Sequence, residues 1–92
     1  MFYTLEILET RRPNTRLGDF EGDQYVCRVT PEWRGTSRVI VRWCAEIGIG
    51  WSTMVDPIDT YGTTVSGHRP AFFDGRLTVA EAAAHLSALE GR

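Results

Sequence analysis

LTVAEAAAHLSALEGR, residues 77–92, decides the fold. Thr78 and Glu81 have the spacing of a capping box: the Thr hydroxyl accepts from the third helical N–H, and the Glu carboxylate reaches back to the N–H of the cap residue. Val79, Ala82, Ala83, Leu86 and Leu89 then recur at three- and four-residue spacing and line one face, while Glu81, His85, Ser87 and Glu90 point elsewhere. Gly91 is a natural stop. The spacing predicts a helix over 78–90 whose apolar stripe, ending in Leu86 and Leu89, is buried against whatever the earlier residues build.

Upstream of that helix the apolar period shortens to two, the period of strands. Residues 2–9 carry Tyr3, Leu5 and Ile7 on one face and Thr4 and Glu6 on the other. Residues 24–30 and 37–44 form the best strand pair, with PEWRG (31–35) as the turn chemistry between them. Tyr25, Cys27 and Val29 share one parity of the first strand, and Val39, Val41 and Trp43 one parity of the second. Together with Tyr3, Leu5 and Ile7 they form an apolar face for the helix. The opposite parity holds Arg28, Arg38 and Arg42, which predicts three guanidiniums on a solvent face.

The intervening segments read as connections and shorter strands. Residues 10–23, TRRPNTRLGDFEGD, have no apolar period and predict a long connection. Residues 45–55 alternate as a strand would, but Gly48 and Gly50 share one parity, which suggests a close backbone approach or a bulge. Asp56-Pro57 predicts a turn, residues 61–66 a further short strand, and Asp74-Gly75 the turn before the helix. The fold expected is α+β: a four- or five-stranded, mostly antiparallel sheet with one C-terminal helix packed on one face, in a single domain over residues 1–92. The strand order is left open.

Composition sets the remaining bounds. The chain has 92 residues, 42% of them hydrophobic and 11% aromatic, enough to bury a core without disulfides or metals. No apolar run approaches the length of a membrane span, and Met1 leads directly into a strand-like stretch, so a soluble cytoplasmic protein is expected. Cys27 and Cys44 fall on opposite parities and are expected as thiols rather than a disulfide. All ten basic residues are Arg, each a planar fork suited to carboxylate, phosphate or aromatic stacking, yet the net charge is −2. That charge argues against a dedicated nucleic-acid binder.

Catalytic and metal chemistry find little in this pattern. Asp56, Asp59 and His68 are the nearest approach to a metal or acid/base cluster, but aspartates beside a proline are ordinary turn residues. His85 one turn after Glu81 reads as a helix-surface pair. Cys27 shares the inward parity of Tyr25 and Val29, which makes it a core residue. No cofactor, metal or catalytic residue is expected. The arginines carry the functional reading: Arg11, Arg12 and Arg16 cluster in the long connection, Arg28, Arg38 and Arg42 share a sheet face, and Arg34 stands with Trp33 at the hairpin tip. These eight residues form the candidate partner-binding set, suited to an acidic protein surface or a nucleic-acid backbone.

On Thr78, Glu81, Ala82 and Leu86, the ending LTVAEAAAHL is similar to the close of AP2-like DNA-binding domains, in which a helix packs behind a sheet. Those four residues carry the packing and not the DNA reading. In size and composition, without a motif, the whole chain resembles small phage-encoded anti-CRISPR-type inhibitors. That resemblance implies a non-enzymatic protein in the bacterial cytoplasm that occludes a larger protein or ribonucleoprotein complex, a CRISPR effector above all. The alternative is a nucleic-acid-binding or regulatory module using the arginine-rich sheet face.

Overall fold

The computed structural model describes residues 2–12, 20–46, 48, 50–59 and 69–90. Among them the elements in chain order are β1 (Thr4–Arg11), β2 (Phe20–Trp33), β3 (Thr36–Glu46), β4 (Gly50–Ile58), β5 (Ala71–Asp74) and α1 (Val79–Glu90). The strands make one antiparallel sheet in the order β1-β2-β3-β4-β5, so every strand pairs with its neighbours in sequence. The architecture is the expected α+β sheet with a C-terminal helix. The expected strand over 61–66 lies outside the described residues. The long connection after β1 is shorter than expected, because residues 20–23 already belong to β2.

Three turn assignments change. β2 runs on through Pro31, Glu32 and Trp33, and the hairpin closes at Arg34-Gly35, with φ 48° and 78°, between the paired residues Trp33 and Thr36. Left-handed geometry at both central residues matches the twist of the flanking strands. Gly48 and Gly50, with φ 81° and 102°, serve the β3–β4 turn; a Cβ built on either meets nothing within 4 Å, so no backbone presses against them. Asp56 and Pro57 lie inside β4 and not in a turn. Proline is tolerated there because the β4–β5 pairing ends at Val55 opposite Ala71, so Pro57 lies past the end of β5.

The helix-facing core follows the predicted parity. Tyr3, Cys27, Val29, Val39, Val41, Val55 and Ala71 from the sheet meet Ala82 and Leu86 from α1, with Leu5, Tyr25, Phe73, Leu77 and Val79 packed around them. The helix begins as the capping box requires: Thr78 N donates to Glu81 Oε1 (3.2 Å), and Glu81 N donates to Thr78 Oγ1 (3.1 Å). That first bond, with the Thr78 hydroxyl, holds the Glu81 carboxyl below its ordinary pKa. Its contribution to stability is therefore present above the usual carboxylate range and is lost as the pH falls through the depressed value.

The rotation of α1 about its axis differs from expectation. Leu86 is fully buried, but Leu89 is 46% exposed. Ser87 takes the inward place instead. Its hydroxyl accepts from Tyr3 N (2.8 Å) and donates to Ala83 O (2.9 Å), with Tyr3 O at 3.3 Å as a second acceptor. A serine bonded to the start of β1 turns the helix so that the stripe ends one turn early. Ile7, expected in the core, is 49% exposed although it pairs with buried Cys27 and keeps the helix-side parity; it stands on the edge strand, at the groove beside the start of α1.

The second face of the sheet also carries buried side chains. Val26, Ile40 and Ile58 form a small buried cluster there, and Met54 and Asp56 beside them are buried as well. Of the three arginines expected on an open face, Arg28 is exposed, whereas Arg38 and Arg42 are half-buried. Leu86→Ala is expected to cost about 2–5 kcal/mol, since the side chain is enclosed on all sides. Leu89→Ala should stay within about 0.5 kcal/mol, as for an ordinary surface position. Denaturant midpoints of the two variants against the parent chain measure the difference.

Candidate functional site

The sheet disperses the seven described members of the arginine set into three kinds of place. Trp33 is 1% exposed and belongs to the helix-side core, so the hairpin tip does not present its ring. Arg34 lies with its guanidinium 4.5 Å above that ring and donates to the carbonyls of Arg69 and Pro70. Both residues tie the tip to the segment leading into β5. Nothing in the spacing marked that role, although the odd parity of Tyr25, Cys27 and Val29 extends to Trp33.

Arg42 is the second kind. It leaves the second sheet face and donates from Nη2 to Asp56 Oδ2 at 2.8 Å, with side chains 19% and 5% exposed. The two are diagonal neighbours, because Arg42 stands opposite Met54 and Ile40 opposite Asp56. Burial lowers the Arg42 pKa and the facing carboxylate raises it again, with the net shift downward. The pair is structural: it sits beside Met54, Ile40 and Ile58. Asp56 is thus an ion-pair partner in a strand rather than half of a turn cluster with Asp59. His68 lies outside the described residues, and among those described no three His, Cys, Asp or Glu side chains converge as a metal site.

The third kind stays at the surface. Arg28 stands directly opposite Arg38 across β2 and β3 and opposite Glu6 across β1 and β2. Arg28 Nη1 reaches Glu6 Oε2 at 3.4 Å, a long contact between side chains 54% and 67% exposed. Such a pair contributes little. Arg38 is half-buried. Arg11 bonds Glu9 on its own strand at 3.1 and 3.3 Å, and Arg12 is exposed just after β1. Arg16 lies outside the described residues. What survives of the predicted face is one cross-strand arginine pair, Arg28 and Arg38, with Arg11 and Arg12 at the far end of β1.

A second surface was missed. Arg76, in the link between β5 and α1, lies 3.7 Å from the Trp51 ring centroid and 5.7 Å from that of Trp43. Trp43 also walls a groove of about 370 Å³ at the start of α1, together with Ile7, Tyr25, Thr78, Val79 and Ala80. The link is pinned from below. Thr53, fully buried, donates to Gly75 O (2.7 Å) and accepts from Leu77 N (2.8 Å), while Trp43 Nε1 donates to Leu77 O (3.0 Å). The odd parity of Trp43 and Trp51 carried part of this signal; the approach of Arg76 needed the β5–α1 path.

The cysteines take different environments. Both are thiols and not half-cystines, as expected; Cys27 is fully buried and Cys44 half-buried. Burial pushes the Cys27 thiol up to about 11, so it holds its proton and is inert at neutral pH. His85 is likewise structural, donating from Nδ1 to Glu81 O (2.8 Å) and tilted against Phe73 at 5.4 Å between ring centroids.

Comparison with protein-family models, with curated proteins and with solved structures returns no match. The residues themselves therefore carry the functional argument. Asp56→Asn should destabilise the fold by about 3–5 kcal/mol, the usual cost of leaving a buried charge without its partner, whereas a joint Arg42→Met, Asp56→Leu change should cost much less. Chemical denaturation of the three proteins measures this. In native protein a thiol reagent should label Cys44 well before Cys27, and the denatured chain should take up two equivalents, read by mass.

Proposed function

We propose that the chain is a small non-enzymatic binding protein that inhibits a larger complex, and specifically a phage anti-CRISPR protein acting in the bacterial cytoplasm. It would block a CRISPR effector complex by steric and electrostatic occlusion. The observation that supports this reading is the Arg28–Arg38 pair. Two arginines directly opposite on neighbouring strands stand about 5 Å apart at Cβ, which concentrates positive charge at one place on the sheet. Glu6 reaches Arg28 at 3.4 Å in an exposed contact. An incoming carboxylate would gain charge-assisted, bidentate hydrogen bonds from planar forks.

The same pair supports a second reading, a nucleic-acid-binding or regulatory module, because phosphate oxygens suit the same forks. Trp33, Arg34 and Arg42 enter neither reading, since their side chains are committed to internal packing and bonds. Arg11 and Arg12 extend the cationic margin along β1. No cofactor or metal takes part.

The joint Arg28→Glu, Arg38→Glu variant should fold as the parent does, checked by circular dichroism, and should lose protection of phage from CRISPR interference. Full protection by the folded variant overturns the role of the pair. Salt titration separates the two readings. If phosphates are the partners, the log–log slope of affinity against salt should fall by about two on removing the pair, close to 0.9 per lost contact. A shape-dominated protein interface should show a shallower dependence in the parent chain.

A further inference from the structure

We propose that Arg34 is a clasp on the start of β5, and that by holding this short strand in register it keeps the outer edge of β4 closed. The inference stands apart from the arginine-pair reading, in which Arg34 takes no part.

The first observation is a residue type at odds with its backbone. Arg34 has φ 48° at the first central position of the β2–β3 hairpin, between the paired residues Trp33 and Thr36. A Cβ there meets the clashes that make left-handed geometry uncommon outside glycine, asparagine and aspartate. Asparagine before Gly35 is the pair such a turn prefers. The turn alone therefore does not call for arginine.

The second observation is what the side chain does from that position. Its guanidinium lies 4.5 Å above the ring of the fully buried Trp33, and Nη1 donates to Arg69 O, with Pro70 O at 3.5 Å as a longer second contact. A planar fork backed by an aromatic face fixes a stretch of main chain better than a flexible ammonium does. The two acceptors belong to the residues immediately before β5.

The third observation is that β5 needs holding. It has four residues and pairs with β4 through Ser52–Asp74, Thr53–Phe73, Met54–Phe72 and Val55–Ala71. A slip by one residue turns the buried Ala71 and the core-packed Phe73 to the other face, whereas a slip by two keeps every side chain on its own face. Alternation does not exclude that second register. The far end of β5 is fixed by Gly75, whose N–H donates to Trp51 O and whose carbonyl accepts from Thr53. Arg34 supplies the matching hold at the near end. Without it the β5 side of Met54 and Val55 opens, an apolar edge of the kind that pairs with other chains.

Amide hydrogen exchange of the full chain, followed by NMR, reads the clasp. Arg34→Asn gives the turn its preferred residue and removes the fork. The protected amides of the β4–β5 ladder should then exchange at least about tenfold faster, while those of the β2–β3 ladder from Tyr25 to Arg28 keep the parent rates or slow. Arg34→Lys keeps a cation and the left-handed strain but not the fork. It should quicken the same β4–β5 amides, and it serves alone should Arg34→Asn fail to fold. Parent rates in the β4–β5 ladder of either folded variant, a uniform quickening of all strands, or a change confined to Gly35 and Thr36 at the tip overturns the proposal.

Discussion

The buried hydroxyl of Thr53 is the constraint on which the arrangement of sheet and helix depends. It bonds both sides of the β5–α1 link, giving to Gly75 O and receiving from Leu77 N, one residue before the cap. A third hold comes from the strand: Gly75 N donates to Trp51 O at 2.8 Å. With the link fixed at three points and Thr78 starting the helix, little freedom remains in where α1 begins. Its far end is fixed separately by Ser87 on Tyr3. The helix thus spans the two outer strands of the sheet, contacting both β1 and β5.

That anchoring explains why the chemistry is divided between two faces. On the helix side the same bonds that pin the link also hold Trp43 upright as a wall and bring Arg76 onto Trp51. On the other side no helix packs among the described residues, and Val26, Ile40 and Ile58 form a buried cluster on the same face as the internal Arg42–Asp56 pair. Among the described residues of this face, Arg28 is exposed and Arg38 half-buried, with exposed Arg12 just past the end of β1. The two surfaces are joined through β3, which contributes Arg38 and Arg42 to one and Trp43 to the other by simple alternation.

Much of the fold was legible because it rests on local signals. The capping box and the alternation of Tyr25, Cys27, Val29, Val39 and Val41 gave the helix start and the helix-side core. The errors have particular causes. Leu89 satisfied the helical period, but the serine two residues earlier was bonded to a strand more than eighty residues away, and no local pattern reports such a contact. The second face was read as solvent because arginines mark its parity. Val39-Ile40-Val41 and Met54-Val55 are continuous apolar runs, the pattern of strands covered on both sides. The candidate site was less legible, since which arginine meets a carboxylate depends on register: one diagonal step puts Arg42 on Asp56, while a direct pairing sets Arg28 against Arg38.

The bond between Tyr3 and Ser87 joins residues 84 positions apart in a sheet whose strands otherwise pair only with their neighbours in sequence. Hairpins of that kind close early, because each needs only a short loop to be ordered. On the ribosome the first strand emerges long before the helix that covers it, so a nearly finished meander waits with Val29, Val39, Val41 and Val55 uncovered until the last turns of α1 are released. The interval between sheet formation and helix docking is the period when nascent chains are open to aggregation or to capture by a chaperone. For this topology, the speed with which α1 is made and docked sets how long that exposure lasts.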